Sequence, residues 1–169
     1  MRSSYPGRRG WSWLLCIAIV IPVLIGCQHH GGEMFLKDPN RAGPDGHPII
    51  FTEMERMNLP KVRRLIKAGA DIEAKGYAQG TPILLAAVSE NWLAVEILLE
   101  AGADPMVTDQ FGMTVTWLAA TSRLLPESEQ GQALDRVRHV LNERGIIGIV
   151  VDPREVTTMH EEGRWPPEH

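Results

Sequence analysis

Two stretches decide the fold of this chain, VRRLIKAGAD at residues 62–71 and VEILLEAGAD at residues 95–104. Six of their ten positions are identical, and the spacing from Val62 to Val95 is called the repeat period below. A second pair keeps the same spacing, with TPILLAA at residues 81–87 and TVTWLAA at residues 114–120. Self-similarity at such a period is typical of repeat architectures, in which each repeat packs against its neighbours. The sequence therefore predicts a chain of stacked repeats.

Each block carries the local chemistry of a helix. Pro82 suits the first turn of a helix, where its missing N–H would be unpaired anyway, and the Thr81 side chain can cap the neighbouring amides. Leu98 and Leu99 contribute to an apolar stripe at helical spacing. Gly102 can take the left-handed conformation that ends a helix. The repeating unit is predicted to be helix, loop, helix and hairpin.

The two blocks resemble the ankyrin repeat, whose pattern opens a first helix with TPLHxAA and closes a second with LLxxGAD. This resemblance covers about residues 46–145 and implies an all-α repeat solenoid that presents a concave binding surface. Ile50, Leu84 and Trp117 stand where the family has His. We therefore expect apolar packing to replace the hydrogen bonds that Thr and His exchange in that family.

Three units are predicted, at residues 46–78, 79–110 and 111–151. In the third unit the second helix is predicted to begin later than in the other units, because residues 126–132 form a polar insertion. The apolar residues 145–151 are expected to be strand-like. The predicted helices are 48–57, 60–68, 82–89, 92–100, 115–125 and 133–144.

Residues 152–169 are expected to form a short C-terminal cap and tail. One interpretation is a terminal helix capped by Asp152 with Pro153 in its first turn. The alternative is that TTMH at residues 157–160 is the degenerate start of a fourth repeat.

The N-terminus has the pattern of a secretory signal, with a basic start, an apolar stretch at residues 11–25 and then Gly26 and Cys27. The segment LIGC at residues 24–27 resembles the lipobox of bacterial lipoproteins. That resemblance implies cleavage after residue 26, lipid acylation of Cys27 and, because Gln28 and not Asp follows it, attachment to the outer membrane. We expect the protein to face the periplasm, and the alternative orientation is the cell surface. The alternative is a membrane-spanning helix, which needs about 20 apolar residues, more than the stretch at residues 11–25 supplies.

The cysteine count agrees with this interpretation. Cys16 would leave with the signal, so Cys27 would be the only thiol in an oxidising compartment and would have no intramolecular partner. Two or more lipid chains on Cys27 would anchor the protein firmly. Residues 27–45 are rich in Gly, Pro and polar side chains, and we expect them to form a flexible tether.

Charge narrows the class of partner. After residue 26 the chain has 14 basic and 21 acidic side chains, a net formal charge of −7. Nucleic acid is an unsuitable partner for such a chain, because Lys and Arg must neutralise the phosphates. A partner protein with a basic surface suits it better.

No pattern for catalysis is present. The chain lacks a Gly-x-Ser-x-Gly motif and a phosphate-binding glycine loop, and residues 160–162 (HEE) lack the second His of a zinc-protease helix. We therefore predict that the protein is not an enzyme and that it has no catalytic residue, metal site, cofactor or small-molecule substrate.

Partner-binding residues are predicted at the hairpin tips and on the groove-facing side of the first helices, where repeat arrays present their concave surface. Phe111 has an alternative role, in which it packs under its own turn. Trp92 and Trp117 are expected in the core between repeats. The candidate contact residues are Tyr77, Gln79, Gln110 and Phe111 at the tips, and Glu53, Arg56, Glu90 and Arg123 on the helices.

Three hypotheses for function follow. The first is an outer-membrane lipoprotein whose repeats bind an envelope protein, one version of which inhibits a toxin or an enzyme. The second is a structural or stress-related envelope scaffold without a single tight partner. The third is an unrecognised enzyme, which would need convergent polar groups in a cleft.

Overall fold

The computed structural model describes residues 38–167. The predicted signal peptide, Cys27 and the first part of the predicted tether lie outside the described residues. Seven α-helices are present in the described part of the chain, and a short 3₁₀ helix, Tyr77–Gln79, lies between the second and third. The α-helices are α1 (Ile49–Glu55), α2 (Leu59–Lys67), α3 (Pro82–Val88), α4 (Trp92–Glu100), α5 (Val115–Thr121), α6 (Glu129–Glu143) and α7 (Pro153–Glu161).

The all-α ankyrin-like repeat fold is confirmed. Helices pair within each repeat, α1 with α2, α3 with α4, and α5 with α6. The first helices also pack in a row, α1 on α3 and α3 on α5, and the second helices form a parallel row through α2, α4 and α6. Hairpins connect one pair to the next, and residues 38–167 contain no β-strand. The first helices and the hairpins therefore form one face of the array.

Side-chain caps begin α4 and α5, and a glycine in the left-handed conformation follows α4. Asn91 caps α4 by accepting a hydrogen bond from the Ala94 amide at 3.3 Å, and Thr114 caps α5 by accepting from Trp117 at 3.1 Å. Gly102 has φ +93°, the left-handed conformation that was expected. The predicted cap by Thr81 is wrong, because its hydroxyl makes no capping bond and is buried without a hydrogen-bond partner.

The core lies between the helix rows. Trp92 is fully buried, as predicted, and so are Val95 and Leu98 from the same helix. Trp117 is partly exposed, so the prediction of a core position holds for only part of its side chain. Burial of this apolar stripe of α4 against its neighbours is the main source of stability expected for a repeat array.

The hairpins repeat one turn three times. Asp38, Asp71 and Asp104 follow one another at the repeat period, and each accepts a hydrogen bond on its carboxylate from the amide two positions later, at 2.8 to 3.0 Å. Such a bond lets an Asp side chain mimic a backbone turn. The first of these turns shows that the repeat array includes residue 38.

A second recurring bond links each hairpin to the next. The Asp71 amide donates to Asn40 Oδ1 at 2.6 Å, and the Asp104 amide donates to Glu73 Oε1 at 2.8 Å. The acceptors Asn40 and Glu73 are also one repeat period apart. Residues 38–45 are therefore part of the first hairpin, and the prediction that the flexible tether reaches residue 45 is wrong. A turn-forming Asp in register with Asp71 was the signal in the sequence.

The third unit differs from its predicted bounds. Helix α5 ends at Thr121, and α6 begins at Glu129, where Ser128 accepts a hydrogen bond from the Gly131 amide at 3.0 Å. The insertion is therefore residues 122–128, which begins and ends earlier in the chain than the predicted residues 126–132. Residues 145–151 are not strand-like, because the Ile149 amide bonds to the Ile146 carbonyl at 3.0 Å and turns the chain.

Helix α7 caps the end of the array. Asp152 accepts from the Arg154 amide at 2.9 Å, and the helix starts at Pro153, which confirms the first interpretation of this segment. Gly112 has φ +76°, and a Cβ there would collide with the Pro153 carbonyl, so a glycine is required where α7 meets the last hairpin. The Trp165 indole donates to the Met106 carbonyl at 3.1 Å and fixes the segment after α7.

A buried charge pair holds the first helix pair together. The Glu53 side chain is 1% exposed, and its Oε1 lies 2.9 Å from Lys61 Nζ. Asn58 Nδ2 donates to the other carboxylate oxygen at 3.1 Å. A buried carboxylate needs such partners, since its desolvation is costly.

Charged groups also tie the second helices together on the outside of the array. Arg136 of α6 forms two hydrogen bonds with Glu96 of α4, at 2.6 and 2.9 Å. These hydrogen bonds raise the pKa of the Arg136 guanidinium above its ordinary value. The Arg144 guanidinium adds a bond to the Leu99 carbonyl at 3.0 Å.

We expect Asn40→Ala to lower the free energy of unfolding by about 1 kcal/mol, because it removes the acceptor for the Asp71 amide. Urea unfolding of the two proteins measures the difference. Lys75→Ala, an exposed change in the next hairpin, is the matched control. An Asn40→Ala protein as stable as the control would contradict the inclusion of residues 38–45 in the fold.

We expect Lys61→Met to lower the free energy of unfolding by about 3 kcal/mol, because it removes the cation nearest to the buried Glu53 carboxylate. The double variant Glu53→Leu with Lys61→Met should recover most of that loss, and Lys67→Met on the same helix is the exposed control. Equal stability of Lys61→Met and Lys67→Met would refute this role of the pair.

Candidate binding groove

A pocket opens between the first helices and the hairpin tips, with a volume of about 200 Å³. We call it the groove pocket. Its walls come from the segment before α1, from α1 and α3, and from the two hairpins that follow α2 and α4, so it spans more than one repeat. Stacking of repeats therefore creates it, and an isolated repeat would lack it. The apolar lining residues are Phe51, Tyr77, Ala78, Leu84, Leu85, Val88, Phe111 and Met113.

Three of these side chains are large, apolar and well exposed. Tyr77 is 81% exposed, Phe111 is 55% exposed and Val88 is 54% exposed. The deeper residues Phe51 and Leu84 are buried. The pocket thus has a packed apolar floor and projecting apolar side chains at its mouth. Exposed apolar clusters of this kind mark interaction surfaces.

The Phe111 side chain is held at the mouth by its own turn. Asp109 Oδ1 accepts hydrogen bonds from the amides of Phe111 and Met113, at 2.9 and 3.0 Å. The turn therefore positions the ring without burying it. Of the two sequence interpretations, the structure supports exposure over packing beneath the turn.

The charge around the groove pocket is acidic. Asp45, Glu55 and Asp109 line it together with His47, and among residues 38–167 no lysine or arginine does. The His47 ring packs near Phe51, with the ring centroids 6.0 Å apart. Fixed negative charge beside an apolar cleft favours a positively charged group on whatever binds there.

The four predicted hairpin residues fall into two groups. Tyr77 and Phe111 meet at the groove pocket, while Gln79 and Gln110 line a second, more open cavity of about 280 Å³ beside α7. In that second cavity the Thr108 hydroxyl lies 2.7 Å from His160 Nε2. Gln79 and Gln110 are both exposed. The structure therefore separates the two glutamines from the two aromatic residues.

The predicted helix residues are placed differently from expectation. Glu53 is buried and paired with Lys61, so its carboxylate is not on the groove surface. Arg56 is exposed, with its guanidinium 3.7 Å from Glu53. Arg123 is exposed but follows the end of α5, so it is in the insertion and not on a first helix. Because α1 ends at Glu55 and α5 ends at Thr121, Arg56 and Arg123 both lie outside the first helices.

Glu90 is exposed but already has two partners within the fold. Its Oε2 accepts from the Trp92 indole at 2.7 Å and from the Ser122 hydroxyl at 2.7 Å. The backbone at Glu90 is left-handed, with φ +55°, as it is at Met57 one period earlier. Glu90 therefore joins the α3–α4 loop to the end of α5.

Sequence reasoning missed Val88, Glu55 and Asp45 as lining residues. Glu55 and Val88 are one repeat period apart and so take equivalent places in successive repeats. Val88 is apolar where the preceding repeat has the charged Glu55, and this difference was a signal in the sequence for an exposed apolar surface. Asp45 gave no comparable signal, because it was assigned to the tether.

Neither a cluster of metal ligands nor a candidate membrane span is present in residues 38–167. Within this range His, Cys, Asp and Glu side chains form no group of three or more that could hold a metal ion. No helix here combines the length and the apolar character needed to cross a membrane. The groove pocket remains the site best formed for binding.

No family model matches the chain. It is similar to the mitochondrial disaggregase of Homo sapiens, with 34% identity over 101 residues, and to that of Bos taurus, with 41% identity over 118 residues. These matches cover 59% and 64% of this chain, but only 14% and 15% of the relatives.

The B-cell lymphoma 3 protein of Homo sapiens is also similar, with 32% identity over 87 residues, which is 49% of this chain and 19% of that protein. This chain therefore spans less than a fifth of the length of the curated relatives it matches. These relatives contain ankyrin repeats, in agreement with the fold described above.

Proposed function

We propose that this protein is a membrane-anchored envelope lipoprotein whose ankyrin-like repeats bind a partner protein through the groove pocket. The observation that carries the binding proposal is the set of exposed apolar side chains, Tyr77, Val88 and Phe111, around a preformed cleft. Aromatic side chains at a protein surface are frequent anchors of protein interfaces. Inhibition of a toxin or of an enzyme is the form of binding that we propose.

The anchor is the second part of the proposal. The segment LIGC ends an apolar stretch that starts after a basic N-terminus, and Cys27 is the last cysteine of the chain. Acylated Cys27 would hold the repeats at the membrane. In the bacterial lipoproteins that LIGC resembles, a residue other than Asp after the Cys favours the outer membrane, and Gln28 fits that pattern.

Photo-crosslinking tests the binding surface. A photoreactive benzoylphenylalanine in place of Val88 should yield a discrete adduct with one protein in cells that make the full chain. The same residue in place of Val150, which is 45% exposed outside the groove pocket, is the matched control and should yield no such adduct. Val88→Ser and Phe111→Ala should each weaken binding of the captured partner by about tenfold or more.

Two outcomes would contradict the binding proposal. One is the same adducts from positions 88 and 150, which would indicate nonspecific contact. The other is no adduct from position 88, which would favour the scaffold hypothesis, a protein without a single tight partner.

Membrane fractionation tests the anchor. We expect Cys27→Ser to move the protein from the membrane fraction to the soluble fraction and to abolish labelling by a palmitate analogue, because the acylated thiol is lost. Cys16→Ser is the matched control and should change neither. Unchanged membrane retention of Cys27→Ser would show instead that the apolar stretch at residues 11–25 is itself the anchor.

A further inference from the structure

We infer that the groove pocket receives one large apolar side chain of the partner protein and that Lys or Arg flanks this side chain in the partner sequence. The inference rests on the proposed function, since it takes the groove pocket as the partner-binding surface. It adds the chemistry of the segment that binds.

The volume of the pocket favours a single side chain. Its 200 Å³ lies below the roughly 300 to 1,000 Å³ that is common for small-molecule sites. A dry cavity of about 150 Å³ lined by Leu, Ile and Phe can hold a benzene ring. The groove pocket is thus large enough for the side chain of Leu, Phe or Trp.

The walls select an apolar side chain. Phe51 and Leu84, at the floor, are 4% and 1% exposed, and Leu85 and Met113 add further apolar wall. A polar side chain in this position would lose its hydration without gaining hydrogen bonds from these walls. An apolar one would remove its own surface and that of the floor from water.

The rim selects the neighbours of that side chain. Asp45, Glu55 and Asp109 line the pocket, while no lysine or arginine of the described chain does. Arg56 follows Glu55 in the chain, but it lies against Glu53, at 3.7 Å. Carboxylates around the opening would attract Lys or Arg next to the inserted side chain and would repel Asp or Glu.

The aromatic residues at the mouth add to this preference. Tyr77 and Phe111 line the pocket and are 81% and 55% exposed, so part of each ring is open to an incoming side chain. The face of an aromatic ring attracts a Lys or Arg cation that lies within about 6 Å of its centre. The apolar floor, the acidic rim and the aromatic mouth therefore all favour a partner segment with one apolar side chain flanked by Lys or Arg.

Selection from a peptide library tests the inference. Random 12-residue peptides displayed on phage are selected on the full chain in detergent, and the most enriched peptide is synthesised for measurement of its Kd. We expect the enriched peptides to share a Leu, Ile, Phe or Trp with Lys or Arg within two positions. Alanine at the apolar position should raise the Kd by about tenfold or more.

Variants of the protein then test separately the apolar side chains and the acidic rim of the pocket. Val88→Ser and Phe111→Ala should raise the Kd of the enriched peptide by about tenfold, and Leu125→Ala, a change at a residue 65% exposed outside the pocket, should not. Glu55→Lys should raise the Kd by about fivefold to tenfold. Glu127→Lys changes the net charge equally in the insertion and should leave the Kd within about twofold. Urea unfolding of each variant verifies that it is folded.

The outcomes separate this inference from the proposed function. Enriched peptides without basic residues, or a Kd that Glu55→Lys leaves unchanged, would overturn the inference, while sensitivity to Val88→Ser would retain the groove as a binding surface. Peptides insensitive to both Val88→Ser and Phe111→Ala, or no enriched peptide, would also overturn it. In those cases photo-crosslinking from position 88 still decides the proposed function on its own.

Discussion

Helix α4 carries the interaction on which the rest of the structure depends. Its buried residues Trp92, Val95 and Leu98 fill the space between the helix rows, and the helix packs against α2, α3 and α6. A repeat cannot bury its apolar face alone, so a repeat at the centre must contact both of its neighbours. Loss of packing around α4 would therefore separate the first repeat from the third.

Hydrogen bonds between hairpins set the position of each repeat relative to the next. The acceptors Asn40 and Glu73 bond to the amides of Asp71 and Asp104, which places successive hairpins side by side. Tyr77 and Phe111 follow these positions along the chain, and both reach the same pocket. The spacing that stabilises the array thus also forms the groove pocket, although stabilisation and the pocket lining use different side chains.

Some acidic residues of this protein are paired within the fold and others line the groove pocket, and the sequence does not distinguish the two groups. Glu53 and Glu90 were expected on the groove, but Glu53 is buried against Lys61 and Glu90 accepts hydrogen bonds from Trp92 and Ser122. Glu55, two positions from Glu53, lines the groove pocket. A shift of two positions on a helix moves a side chain by more than half a turn, so the face of α1 that packs against α2 decides which carboxylate is buried.

The sequence by itself determined the repeat fold, the helix pair of every described repeat and the aromatic residues at the hairpin tips, because a regular repeat period and local capping chemistry act over short stretches of chain. Only the tertiary structure decided that residues 38–45 join the first hairpin, that Glu53 is buried and that Val88 is exposed at a pocket. These features depend on contacts between repeats. Asp38 in register with Asp71 and Val88 in register with Glu55 were signals in the sequence, but the position of a side chain relative to a neighbouring repeat follows from packing across the whole array.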